Sequence, residues 1–227
     1  VDVNARAVAV YLREQIAEYI AAHVNELKAQ NPNHVVVGAG DMIGATPLIS
    51  SLFHDEPSVE TLNRIGLEFN AVGNHEFDNG SATLLRLQRG GCKMDGARID
   101  VNSCQGAKVG TPVPFEGAKF QWLSANVVVT ATGQTLLPAY GVKRFQGVPV
   151  AFIGMTLKDT PGIVVPTGVA GLEFRDEAAT VNALVPKLRA EGVEAIVVLV
   201  HEGGVQSGAQ QDINACEGNL AGSPIVR

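Results

Sequence analysis

An α/β architecture is expected for this chain of 227 residues, on three features of its order. Short β-branched apolar runs alternate with stretches whose apolar residues recur at three- and four-residue steps, the periods of strand-like and helical packing. Three of the apolar runs end in Gly-flanked polar loops: Gly40-Asp41, Gly73-Asn74-His75-Glu76 and His201-Glu202-Gly203-Gly204. The composition, 46% hydrophobic and 18% charged, carries enough apolar mass for one sizeable core or two small ones and excludes a disordered tail.

From Ala5 to about Gln30, the residues Leu12, Ile16, Tyr19, Ile20, Val24 and Leu27 have the spacing of an amphipathic helix, which Asn31-Pro32-Asn33 stops. Val35 to Val37 reads as a buried strand that enters the Gly38-Ala39-Gly40-Asp41 loop. Helical stretches follow around Pro47 to Phe53 and Ser58 to Leu67, then a short strand from Phe69 to Val72. Leu84 to Leu87 continues helically until Gly90-Gly91 breaks it. Cys92 to Gln121 has no sustained periodicity and reads as a surface excursion. Trp122 to Val129 and Gly141 to Met155 are β-rich, with Gln146-Gly147 a hairpin turn. Asp176 to Glu191 is expected to be helical despite Pro186, and Glu194 to Val200 a buried strand that delivers His201. No internal repeat or linker forces a boundary.

The longest apolar run, Ala195 to Val200, is far below the ~20 residues of a membrane span. Seventeen Lys and Arg against 23 Asp and Glu give a net charge of −6, which argues against a general nucleic-acid surface but permits a small phosphorylated substrate held by a metal. Cys92, Cys104 and Cys216 lack the paired spacing of a zinc-thiolate site. Cys92 and Cys104 are near enough to staple one loop; three free thiols is the alternative.

In open α/β sheets, ligands collect beyond the carboxyl ends of the strands. The donors available there are one carboxylate, one amide oxygen and two imidazoles, a mixture that suits Zn, Mn or Fe better than Ca or Mg. Gly40 and Gly73 would let each following donor turn inward. Taken singly, Gly40-Asp41 also reads as a turn and His201 as a carbonyl-bound strand-end histidine. Gly-Asn-His-Glu is the most specific of the three strings.

The segments Val36-Val37-Gly38-Ala39-Gly40-Asp41-Met42-Ile43-Gly44, Gly73-Asn74-His75-Glu76-Phe77-Asp78 and Val198-Leu199-Val200-His201 resemble the calcineurin-like metallophosphoesterases. The closest likeness is to the secreted 5′-nucleotidase branch, which includes UDP-sugar hydrolases and cyclic-nucleotide phosphodiesterases, and Pro47 to Pro57 resembles that branch as well. The resemblance implies a layered α-β-β-α domain, two divalent metal ions and a location outside the cytoplasm, periplasmic or extracellular. By position, Asp41 matches the carboxylate that bridges the two metals, and Asn74 and His201 match ligands of the second. His75 matches the histidine that stabilises charge on the phosphate or protonates the leaving oxygen, Asp78 matches the carboxylate that orients it, and Glu76 belongs to the motif without a ligand role. The reaction implied is hydrolysis of nucleotides or related phosphate esters by a metal-bridging hydroxide.

Departures from the pattern are equally specific. Nothing before Val35 reproduces the family's Asp-x-His pair, its Gly-His-x-His motif would fall after Val226, and no nucleoside-gripping C-terminal domain lies within these residues. Residues 1–227 are therefore read as part of a catalytic domain, weak or inactive in isolation; the alternative is a non-catalytic α/β scaffold or interaction fragment. His34 and His54 are expected to be solvated or capping and His23 to lie on a helix face. Asn126 is expected to fix a loop, Asp159-Thr160-Pro161 to form a turn, and Cys216 to lack a partner within the chain.

Overall fold

A computed structural model describes residues 3–105 and 112–203, with side chains from residue 17 onward. Gly204 and Cys216, named above, lie outside the described residues. In chain order the elements are α1 (Val3–Gln30), β1 (Val37–Gly38), α2 (Leu48–Ser51), α3 (Glu56–Ile65), β2 (Phe69–Ala71), α4 (Ser81–Arg89), β3 (Met94–Asp95), β4 (Arg98–Ile99), β5 (Gln121–Leu123), β6 (Val127–Val129), β7 (Tyr140–Phe145), β8 (Val148–Thr156), β9 (Leu172–Phe174), α5 (Glu177–Ala190) and β10 (Ala195–His201).

Two three-stranded sheets form the centre. The first has the order β1-β2-β5 and is wholly parallel; the second has the order β10-β8-β7, with β10 parallel and β7 antiparallel to β8. Alternation along each strand assigns the layers. Phe69, Ala71, Leu123, Phe152 and Leu199 fill the space between the sheets, and Phe69 stacks on Phe152 with ring centroids 5.1 Å apart. On the far side of the first sheet, Val59 of α3 and Leu84 and Leu87 of α4 pack with Val72 and Trp122. Across the second sheet, Leu188, Val181 and Leu184 of α5 cover Ala151, Ile153 and Met155 of β8. The result is the helix–sheet–sheet–helix layering that the resemblance implies.

Local rules account for the element ends. Asp176 caps α5 by accepting Ala179 N at 2.9 Å. The β7–β8 hairpin turns at Gln146 and Gly147 with φ of 50° and 90°, so the turn expected there carries positive φ at both central residues. Four expectations need correction. The strand expected to be buried from Glu194 to Val200 is β10, at the edge of its sheet, where Leu199 is buried and Val197 and Val198 are 38% and 40% exposed. The first strand is Val37–Gly38 rather than Val35 to Val37. The β-rich stretch from Trp122 to Val129 is two strands in different sheets, broken at Ser124–Asn126. The excursion from Cys92 to Gln121 is more than surface, because Phe115 and Phe120 are buried in the core beneath α3 and α4. A disulfide joins Cys92 to Cys104 and closes the loop that carries the β3–β4 hairpin.

Candidate metal centre

The parallel register of β1 and β2 places Val37 opposite Phe69 and Gly38 opposite Asn70, so the loops after both strands leave the sheet side by side. From the second sheet, β10 ends on His201, which is the strand's last residue. The site lies where the carboxyl ends of both sheets meet.

There the three sequence-predicted donors converge. His201 Nε2 lies 3.1 Å from Asp41 Oδ2 and 3.2 Å from Asn74 Oδ1. His201 Nδ1 is 2.7 Å from the carbonyl of Ala39, which can only accept, so Nδ1 carries a proton and donates it. In the neutral ring Nε2 then presents a lone pair, facing two oxygens that also accept. A proton or a cation must stand between them. Donors placed ~2.05 Å from one cation at angles of 90–109° would lie roughly 2.9–3.4 Å apart, and the observed separations fall in that range. The donor set therefore fits a divalent cation. Asn74 supplies a neutral amide oxygen as the third donor beside one carboxylate and one imidazole; among the described residues no three His, Cys, Asp or Glu side chains gather around one point.

Asp41 occupies the left-handed region at φ 58°, uncommon for a residue with a side chain but tolerated by Asp. Gly40 precedes it at φ 97°, and a Cβ there would stand 2.6 Å from His201 Nδ1. Gly73 is needed for close approach: a Cβ would fall 2.2 Å from Asp41 Oδ1.

Glu76 holds this turn in place. Its carboxylate, 2% exposed, accepts from Asp41 N at 2.9 Å, Met42 N at 2.8 Å and Gly73 N at 2.7 Å, clamping both loops with one side chain. Burial pushes its pKa up, against the opposing pull of those three N–H donors. This clamp has no signal of its own in the sequence. The same holds for Asn70. Fully buried on β2, it accepts Gly40 N through Oδ1 at 3.1 Å, while its Nδ2 has no partner among the described residues. A buried acceptor for distant backbone amides leaves no sequence signature of its own.

His75 to Phe77 form one turn of 3₁₀ helix, whose three-residue period puts His75 and Asp78 on one face. His75 Nδ1 lies 2.7 Å from Asp78 Oδ2, and His75 N donates to Asp41 Oδ1 at 3.1 Å. The hydrogen bond to Asp78 raises the His75 pKa above its ordinary value; desolvation pulls the other way and the charges of Asp78, Asp41 and Glu76 reinforce the rise. The imidazole therefore keeps its proton to higher pH than a free histidine.

Of the other residues singled out, Asn126 is fully buried and bridges three segments: its Nδ2 donates to Thr156 O at 2.6 Å and Arg175 O at 3.0 Å, and its Oδ1 accepts Thr156 N at 2.9 Å. It fixes a loop, as expected. Asp159 precedes a 3₁₀ turn at Thr160–Gly162. His23 and His34 face solvent, His34 beside Asn31 O. His54 departs from expectation: it is mostly buried, with Nε2 3.1 Å from Asp100 Oδ1.

Several known proteins are similar to this chain. Calcineurin-like phosphoesterase YfkN from Bacillus subtilis superimposes with a TM-score of 0.59 at 22% identity, covering 84% of this chain and 55% of that one. Endonuclease YhcR of Bacillus subtilis is 40% identical over 204 residues, which is 90% of this chain and 15% of that protein. The 5′-nucleotidase of Vibrio cholerae is 29% identical over 191 residues, 84% of this chain and 29% of that protein. No protein-family model matches the chain. The fold is thus that of a calcineurin-like phosphoesterase. Within that fold, the chain is similar to bacterial 5′-nucleotidases and to protein UshA of Salmonella pullorum, 29% identical over 184 residues. It spans less than a third of the length of each of these curated relatives.

Proposed function

We propose that residues 1–227 are part of the catalytic domain of a dimetal phosphohydrolase that acts on nucleotides or related phosphate esters. The observation that carries this reading is the meeting of His201 Nε2 with Asp41 Oδ2 and Asn74 Oδ1 at 3.1 and 3.2 Å, with the opposite ring nitrogen fixed on Ala39. Asp41, Asn74 and His201 would hold one divalent ion, Mn, Zn or Fe by donor type, and the Asp41 carboxylate would also serve a second. When bound, such ions neutralise phosphoryl oxygens and make water more acidic.

This chain's own residues do the rest. Glu76 fixes the turn that aims Asp41. Asp78 holds the Nδ1 proton of His75, so the ring presents Nε2–H to an incoming phosphate ester, where it stabilises developing charge or protonates the leaving oxygen. The bond to Asp78 raises the His75 pKa and so holds that proton to higher pH than in a free histidine. The disulfide supports a periplasmic or extracellular location, and no helix among the described residues is long and apolar enough to cross a membrane.

The endonuclease relative favours a second reading, cleavage of phosphodiesters in nucleic acid. The net charge of −6 weighs against it. Full-length protein with Mn²⁺ should hydrolyse a nucleoside monophosphate faster than single-stranded DNA, and Asp41→Asn should abolish turnover. Undiminished hydrolysis by that variant would remove Asp41 from its role. A scaffold would give no heat on titration with stoichiometric Mn²⁺ or Zn²⁺.

A further inference from the structure

Outside the donor cluster, His54 and Asp55 are consecutive non-glycine residues at positive φ, 54° and 62°. Such strain persists only where the surroundings over-determine it. Here two buried carboxylates do so. Asp55, 2% exposed, accepts Gly44 N at 3.1 Å, Ser50 Oγ at 3.3 Å and the hydroxyl of Thr46. Its neighbour Glu56, also buried, accepts Cys104 N at 2.7 Å, Ser103 Oγ at 2.6 Å and Arg86 Nη1 at 2.7 Å. One carboxylate is thus tied to the far end of the Asp41 loop, the other to the loop closed by the disulfide.

Gly44 is the point of transmission. At φ 95° it lies so close to the His75 turn that a Cβ would stand 2.2 Å from His75 O and 2.9 Å from Asp78 Oδ2. Its N–H is the group that Asp55 holds. The contacts run without a gap from the Asp55 carboxylate through the Gly44 backbone to the His75 carbonyl and the Asp78 carboxylate.

We propose that Asp55 is a positioning residue that holds Gly44 against the His75–Asp78 turn and so keeps the imidazole aimed at substrate, with Glu56 and the Cys92–Cys104 loop bracing it from behind. The catalytic consequence rests on the phosphohydrolase reading; the mechanical coupling does not. Asp55 touches neither a proposed metal ligand's donor atom nor substrate, and its effect on rate passes through His75.

Asp55→Gly keeps the left-handed backbone and removes the carboxylate, whereas Asp55→Asn tolerates the same φ and keeps one acceptor oxygen. In full-length protein, Asp55→Gly should speed amide hydrogen exchange at Gly44 and His75–Asp78 by about tenfold or more and leave Leu84 and Leu87 of α4 unchanged. It should lower kcat for a nucleoside monophosphate roughly 10- to 100-fold with KM nearly constant. With His75 as the proton donor to the leaving oxygen, hydrolysis of p-nitrophenyl phosphate, whose leaving group needs no proton, should fall less than about threefold. Asp55→Asn should restore most of both, and it carries the comparison if Asp55→Gly does not fold. Unchanged exchange at Gly44 and His75 overturns the coupling whatever the activity. Undiminished kcat on both esters overturns the positioning of His75, whereas an equal fall on the two supports it with the imidazole acting on phosphoryl charge and not on the leaving oxygen. If wild-type protein hydrolyses neither ester, the phosphohydrolase reading fails while the exchange experiment still decides the coupling.

Discussion

Glu76 offers the sharpest test of how the metal centre is held, because one buried side chain serves three backbone donors. Its Oε2 takes Asp41 N and Gly73 N, and its Oε1 takes Met42 N. Glu76→Gln preserves volume and one acceptor. With the amide oxygen in the Oε2 position, Asp41 and Gly73 keep their bond, and the amide NH₂ is forced against Met42 N–H. Met42 N–H then loses its acceptor and the amide NH₂ finds none, so two buried donors face each other; the first alone costs about 1–3 kcal/mol. For a domain of this size that corresponds to a fall in Tm of roughly 2–12 °C. Loops loosened by the same free energy spend less time in the donor geometry, and the apparent Mn²⁺ affinity drops by the inverse of the competent fraction, at most about 5- to 150-fold. Glu76→Ala orphans all three donors, about 3–9 kcal/mol before relaxation, which approaches the whole stability of an ordinary domain, and little folded protein is expected. Calorimetric unfolding and Mn²⁺ titration of Glu76→Gln are the assays. A variant that matches wild type in both Tm and metal affinity would refute the clamp.

Two further outcomes follow from the same structure. Asp78→Asn removes the main group that raises the His75 pKa, so the basic limb of the kcat profile should move to lower pH; an unmoved limb would detach Asp78 from the ring. The stability linkage has the same sign: a raised histidine contributes stability that is fully present below ~6.5 and is lost as pH rises through its folded value, and in Asp78→Asn this pH dependence of Tm should flatten, modestly because the pair is about one-third exposed. Replacing Cys92 and Cys104 by Ser opens a loop with a sequence separation of 12, for which the chain-entropy estimate is about 3 kcal/mol, and equal Tm in the oxidised and Ser forms would refute a stabilising role.

How far the sequence could be read depended on whether a signal was local. Helices announced themselves by period, since α3, α4 and α5 bury one stripe each. The same period in α1 did not guarantee burial: Tyr19, Ile20 and Leu27 are 64%, 48% and 62% exposed, so the apolar stripe was legible and its packing was not. The break between β5 and β6 was hidden because Ser124 and Asn126 are polar yet fully buried, and their partners lie on Pro138, Thr156 and Arg175. Phe115 and Phe120 enter the core from an aperiodic stretch for a related reason: their placement follows the loop's fold and not a repeating face. The convergence of Asp41, Asn74 and His201 was foreseeable because all three sit in short, chemically specific strings. Glu76, Asn70 and Asp55 were not. Each accepts from backbone amides whose proximity exists only after the two loops are folded together.

The spacing between the two sheets is itself part of the metal centre, and Gly154 tests this. Gly154 pairs with Leu199 in the second sheet, and a Cβ there would stand 2.1 Å from Leu123 O and 2.4 Å from Leu123 C of the first sheet. Backbone atoms cannot swing aside as a flexible side chain would, so Gly154→Ala must part the sheets. Asp41 and Asn74 belong to loops of the first sheet and His201 to the second, which makes the 3.1 and 3.2 Å donor separations hostage to that gap. Overpacking of this kind costs about 1–3 kcal/mol in stability. The variant should also bind Mn²⁺ at least about tenfold more weakly, since metal donors must be held to within roughly 0.5 Å, although Gly154 touches none of the donors. Gly162→Ala, at a position with nothing within 4 Å, is the matched control and should leave both quantities unchanged. If Gly154→Ala lowers Tm yet leaves Mn²⁺ affinity intact, the loops alone set the donor geometry and the sheets merely carry them.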